Sequence, residues 1–192
     1  MVSKWIEEFG AEKSDIIEGK NCISPACLEA SLSLSLKNLN LPTIDLLYLH
    51  NSAEKHVPNI GLEGYYEKLA ASFEYLERKR DEGVIRYYGL ATWRCFRSPP
   101  SQTKAYVSLE RVVQIAKEAR NRVNKGKHVG EGAHAGPMHR EGEDHGFKFV
   151  QLPINPTLPE AFAEKTWQEV DGEKMSILRA AHKVSCLFPS LV

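Results

Sequence analysis

An α/β fold built on parallel strands is what this sequence predicts, and three observations lead there. Helix-like and strand-like stretches alternate along the whole chain. The connections between strands are long enough for the crossovers that parallel pairing requires. Finally, Ile44-Asp45-Leu46-Leu47-Tyr48-Leu49 is short and, except for Asp45 and the amphipathic Tyr48, apolar at both even and odd positions. Such a run reads as a strand covered on both faces, the habit of parallel sheets. It ends on His50, a residue that titrates near neutral pH, where the carboxyl end of the strand should lie. In parallel α/β folds that end faces the functional site.

In chain order, Met1-Val2-Ser3-Lys4 reads as the tail of a strand, and Trp5 to Asn21, with Gly10 and Gly19, as a loop. Ser24-Pro25 is a good helix start, with serine as cap and proline in the first turn. Leu28, Leu32, Leu36 and Leu39 then form one apolar stripe. Pro42 lies in the turn before the strand that ends at His50. Asn51 to Gly64 carries Pro58, Gly61 and Gly64 and reads as a loop, followed by a helix marked by Tyr65, Leu69, Phe73 and Leu76. Basic Arg78-Lys79-Arg80 and then Gly83 signal its end. Val84 to Thr92 is the second strand, Ser108 caps a helix over Leu109 to Ala119, and Phe147 to Ile154 is the third strand. Asp171 is expected to cap a helix through Met175, Leu178 and Ala181, and Val184 to Phe188 to form the fourth strand.

Asn121 to Gly146 differs in character: glycine, histidine and charge, with almost no large apolar residue. It predicts a disordered insertion, since such a composition cannot supply core. The spacing of His128, His134, His139 and His145 fits neither a structural zinc pattern nor HExxH, so no metal site is expected. The chain carries 25 basic and 25 acidic residues, a balance that gives no bias towards nucleic acid or an anionic membrane. No apolar run approaches the ~20 residues of a membrane span. The N-terminus lacks the basic-then-apolar pattern of a signal peptide. With Cys22, Cys27, Cys95 and Cys186 forming no CxxC pair, reduced thiols and a cytoplasmic location are expected.

Ser31-Leu32-Ser33-Leu34-Ser35-Leu36-Lys37-Asn38-Leu39 followed by Ile44 to His50 resembles the helix "SLxxSLxxL" and strand "DLxxxH" of the aldo-keto reductases. The resemblance implies a (β/α)8 TIM barrel and reduction of small carbonyl substrates by NADPH. It makes His50 a catalytic residue. Gly89-Leu90-Ala91-Thr92 is similar to the family's "GxSN", which implies a cofactor-binding Thr92, although Ala91 stands where the serine would be. Val150-Gln151-Leu152-Pro153-Ile154-Asn155-Pro156 is similar to "QxxxNP", which implies that Gln151 binds the nicotinamide carboxamide. Ser3-Lys4 resembles the end of the family's third strand, whose lysine lowers the pKa of the catalytic tyrosine, and so implies a catalytic Lys4.

The resemblance reaches only from the end of strand three to strand seven, so it implies a partial TIM barrel, truncated at both ends. A complete barrel typically needs about 250 residues. The family's catalytic aspartate and tyrosine precede the stretch covered here, and the loop that grips the adenosine phosphate follows it. The implied activity of this chain is therefore little or none. The alternative is a non-catalytic interaction protein derived from the same barrel. Open sheet edges and an apolar inner face imply self-association. A different barrel, such as a sugar isomerase, would place acidic metal ligands at the strand ends, and the sequence has none there.

Overall fold

The computed structural model describes residues 2–127, 145–162, 167–187 and 190–191. Three full parallel strands form the sheet: β1 (Ile44–His50), β2 (Ile85–Ala91) and β3 (Phe147–Pro153). The short β6 (Ser190–Leu191) extends it in the order β1-β2-β3-β6, with every pairing parallel. Helix α2 (Pro25–Leu39) precedes β1, and α3 (Ser52–Asp81), α4 (Leu109–Lys127) and α5 (Ile177–Lys183) lie between successive strands of the sheet. The fold is thus α/β and matches part of a TIM-type barrel; the described strands do not close on themselves.

One face of the sheet packs on the helices and supplies the core. Tyr65, Leu69, Phe73 and Leu76 of α3 are fully buried, as their spacing predicts. The Phe73 ring lies 4.8 Å from that of Tyr88, midway along β2, and 5.4 Å from that of Phe147 at the start of β3. Leu109, Val112, Ile115 and Ala116 of α4 join the same cluster, with Leu90, Val150 and Leu152 from the strands. The opposite face stays partly open: Leu46, Tyr48, Phe149 and Gln151 are half-buried and Tyr87 is 43% exposed.

Several local expectations are corrected. Val2–Phe9 is a helix, α1, packed on α2, not the tail of a strand. Val2, Trp5, Ile6 and Phe9 recur at helical spacing, which outweighs the two-residue likeness of Ser3-Lys4 to a strand end. Lys4 therefore sits on a helix, and its side chain lies outside the described residues. Strand β1 is not covered on both faces: Leu49 is its one buried residue, because β1 is the edge of the sheet. Asn51 to Gly64 is not a loop, since α3 begins at Ser52 and only Gly61 (φ 76°, ψ 169°) leaves helical geometry. Helical bonding resumes on both sides, so one glycine in a backbone region closed to other residues makes the kink.

Asp171 does not cap a helix. With Gly172 it forms the turn of a hairpin between β4 (Gln168–Val170) and β5 (Glu173–Met175), both turn residues having positive φ. An Asp-Gly pair is the ordinary signal for that turn; Ser176 caps α5 instead. Helix α4 runs to Lys127, and His145 and Gly146 are packed against the core, so both ends of the 121–146 segment are ordered. His128, His134 and His139 lie outside the described residues. Cys22 and Cys27 are joined in a disulfide with Cα atoms 6.1 Å apart, so the expectation of reduced thiols holds only for Cys95 and Cys186.

A buried ionic cluster fixes the amino end of the sheet. Glu77 is fully buried and takes Arg80 Nη1 at 2.6 Å, Tyr88 Oη at 2.8 Å and the Gly146 amide at 2.6 Å. Arg80 also donates from Nε to Arg86 O at 3.0 Å, and Arg120 bridges to Asp81 at 2.8 Å. Burial and the Glu77 carboxylate push the Tyr88 phenol well above its usual range, so it stays a donor. Removing one partner of a buried pair leaves the other charge uncompensated. Glu77→Ala is expected to destabilise the fold by about 3–5 kcal/mol, measured by denaturant unfolding; a loss below about 1 kcal/mol would mean that the cluster is solvated.

Candidate active site at the carboxyl end of the sheet

The register of the three long strands decides which side chains meet. His50 pairs with Ala91, and Ala91 with Gln151, so the three lie in one row across the sheet. The row depends on an irregularity: Tyr88 pairs with Phe147 but Gly89 pairs with Phe149, and Lys148 is passed over. Side chains alternate along a strand, so one extra residue transfers everything after it to the other face. Phe147 therefore packs on the helices, whereas Phe149 meets Tyr87 on the open face, ring centres 6.0 Å apart. Gly89 permits the approach: a Cβ there would lie 2.2 Å from Phe149 O.

Each expected site residue can now be placed. His50 is exposed and Gln151 half-buried, both on the open face at the carboxyl end. Thr92 is at the same sheet end, where its amide donates to Gln151 O at 2.8 Å. By alternation, however, its side chain falls on the helix-covered side, and it is only 4% exposed. Ala91 holds the place between His50 and Gln151 on the open face. Lys4, on α1, is not at a strand end. Sequence reading missed Glu54 altogether: its Oε1 accepts the amides of Trp93 (2.9 Å), Arg94 (2.9 Å) and Cys95 (3.2 Å), closing the turn after β2. Glu54 follows His50 by four residues, but its amide partners lie about forty residues on, and no local pattern points to them.

Burial favours the neutral form of Cys95, Tyr65 and Tyr48, on and behind this face. The Cys95 thiol is pushed well up by burial and by the nearby Glu54 carboxylate, so it is no nucleophile. Tyr65 is likewise raised by burial and shares a 2.9 Å bond with Ser52 Oγ. Tyr48, one row below His50 on the open face, is raised by burial alone. Among the described residues no group of three or more His, Cys, Asp or Glu could hold a metal ion, and no helix is long and apolar enough to cross a membrane.

The sequence profile of the Aldo/keto reductase family matches residues 3–109, more than half of the chain. The chain belongs to the aldo/keto reductase family. Comparison with curated proteins finds no match. The matched stretch includes β1, β2 and the turn closed by Glu54; Gln151 lies beyond it. The Gln151 side chain is half-buried on the open face, and its amide carries both a donor and an acceptor.

One buried histidine of this aldo/keto reductase chain makes its stability depend on pH. His56, on the first turns of α3, is 1% exposed and donates from Nδ1 to Ser52 O at 2.8 Å. Burial lowers its pKa below the ordinary value, outweighing the Ser52 carbonyl; Lys68 and Asp15, themselves paired, act in opposite senses. The unfolded chain therefore binds a proton that the folded one refuses. Stability is full above the ordinary histidine pKa of about 6.5 and is lost as pH falls below it. Unfolding midpoints a unit above and a unit below that pKa of about 6.5 should differ more in the wild type than in His56→Gln. Equal differences would assign the pH dependence to other groups.

Proposed function

We propose that this chain derives from an NADPH-dependent oxidoreductase of small carbonyl compounds, and that the 192 residues alone turn over little or no substrate. The observation that carries the reading is the row His50, Ala91, Gln151 on the open face of a parallel sheet in an aldo/keto reductase domain. His50 would donate a hydrogen bond to the carbonyl oxygen, which polarises the carbon for hydride attack. Gln151 would pair with the carboxamide and so orient the nicotinamide ring. When bound, NADPH supplies the hydride.

Two deficits limit turnover. The alkoxide that forms after hydride transfer needs a proton, and general acid catalysis of this kind is worth ~10²–10⁴-fold. On the open face the phenol nearest His50 in sequence is Tyr48, whose pKa burial raises, which makes it a poorer acid. The second deficit is orientation. Positioning of the nicotinamide can supply about 7–11 kcal/mol in favourable cases. Ala91 in place of a polar residue and the buried Thr92 leave Gln151 as the side chain available to the carboxamide.

NADPH binding, followed by fluorescence, and its consumption with a panel of aldehydes test the reading. Weak binding, weakened further by Gln151→Ala, with turnover at or near background is the expected result. Rapid turnover that His50→Ala abolishes would show that the two deficits do not limit this chain.

A second copy is the partner proposed for the uncovered surfaces. Among the described residues strand β1 is an edge of the sheet, the open face carries Tyr87 and Phe149, and Leu34, Leu39 and Leu41 are about half exposed. Edges and apolar faces of this kind associate unless covered. Light scattering of the purified chain should give a mass above that of a monomer at every concentration tested; a stable monomer would sink the idea. A cytoplasmic location follows from the expectations for the family and the composition. The Cys22–Cys27 disulfide is the observation that weighs against it, since cytosolic reductants open such bonds.

A further inference from the structure

We propose that Glu54 is a positioning residue of the site, which clamps the turn after β2 and so presents the Trp93 indole as an aromatic wall beside the His50 row. The clamp is built from one carboxylate oxygen and three successive backbone amides, those of Trp93, Arg94 and Cys95. Successive amides converging on one point form an anion-binding nest. Here the anion is part of the protein. Hydrogen bonds to a charged acceptor are about twice as strong as neutral ones, so the Glu54 carboxylate holds the amide side of a turn that lies within neither a strand nor a helix.

The position of Glu54 explains what the clamp is for. Asn51, in the left-handed region (φ 50°), turns the chain from β1 into α3 immediately after His50, and its amide bonds Ala91 O at 2.7 Å. Glu54 thus ties the segment that follows His50 to the segment that follows Ala91, across the strand pair bearing the site. The far side of the turn is held by Arg97, buried, which donates to Trp93 O at 2.5 Å and to Glu160 at 2.8 Å. Between these two anchors the backbone of Trp93 is fixed on both its amide and its carbonyl. Its side chain nevertheless remains 53% exposed, in a turn two residues past Ala91. A large aromatic residue with a doubly fixed backbone and a free ring face costs little entropy to use in binding.

The contact between Trp93 and a planar ring rests on the function proposed above; the clamp by Glu54 does not. Amide exchange on the full chain tests the clamp. In Glu54→Ala the amides of Trp93, Arg94 and Cys95 should exchange at least about tenfold faster than in the wild type. Glu54→Gln should restore most of the protection, because its amide oxygen still accepts. Equal exchange in Glu54→Ala and the wild type would overturn the clamp, as would failure of Glu54→Gln to restore protection in a folded protein.

Energy transfer from tryptophan to the dihydronicotinamide of NADPH tests the wall. It should be present in the wild type and Glu54→Gln and reduced in both Glu54→Ala and Trp93→Phe, with Trp5 and Trp167 supplying the remainder. Transfer that survives Trp93→Phe unchanged would overturn the wall. A wild-type chain with no NADPH binding would overturn the wall together with the proposed function, while the exchange rates would still decide the clamp.

Discussion

The close approach of β3 to Gly89 determines which residues can act together. Without a Cβ at position 89, the Phe149 carbonyl enters space that any other residue would fill. That approach accompanies the step in register by which Lys148 is passed over. Had the pairing continued from Tyr88–Phe147 without a step, Gln151 would have fallen opposite Thr92, on the helix-covered side. With the step, it lies opposite Ala91 and in line with His50. A β-bulge beside an active site commonly re-aims a side chain in this way. The composition of the open face follows from the same event, since Phe149 can reach Tyr87 only after the strand has changed faces.

The two ends of the sheet are stabilised by different physics. At the amino end, Glu77, Arg80, Arg120 and the Tyr88 hydroxyl form a cluster closed to water, which takes up the Gly146 amide at the start of β3. Gly146 fits there because a Cβ would lie 2.1 Å from Arg80 Cδ. A cluster so enclosed offers a ligand nothing and serves to fix the chain entering β3. At the carboxyl end the carboxylate of Glu54 holds backbone amides instead, and the neighbouring His50, Trp93 and Gln151 keep surface open to solvent. Stability at the amino ends and chemistry at the carboxyl ends is the usual division of labour in (β/α) barrels.

How much of this was legible in the sequence depended on the range of the interactions. Strands β1, β2 and β3 could be read within a residue or two, because period and composition act locally. His50 and Gln151 could be placed at strand ends for the same reason. Thr92 could not be placed on its correct face, since that takes alternation across a neighbouring strand as well as position along its own. The hairpin at Asp171-Gly172 was legible and was misread: aspartate also caps helices, but the glycine that follows marks a turn with positive φ. The start of α3 was hidden by Pro58 and Gly61, residues that break helices in isolation. Here Gly61 is the one non-helical residue, and the burial of Ala53, His56 and Val57 holds the first segment in place. The three amides gathered by Glu54 are long-range, and no spacing rule reveals them.

Tyr48 shows why a residue type at the right sheet end does not make a catalyst. Its phenol shares the open face with His50, one row away, and could in principle deliver a proton to an alkoxide. Efficient general acids have a pKa near the working pH. Burial shifts Tyr48 the other way, and no positive charge is among the causes acting on it. A lysine placed at the end of the adjoining strand would lower that pKa by favouring the phenolate. The residue that resembles such a lysine, Lys4, instead belongs to a helix packed on α2. The chemistry therefore depends on the electrostatic surroundings of the acid and not on the presence of a tyrosine. In these residues His50 and Gln151 lie in one row on the open face, while the Tyr48 phenol beside them has no positive charge among the causes acting on it.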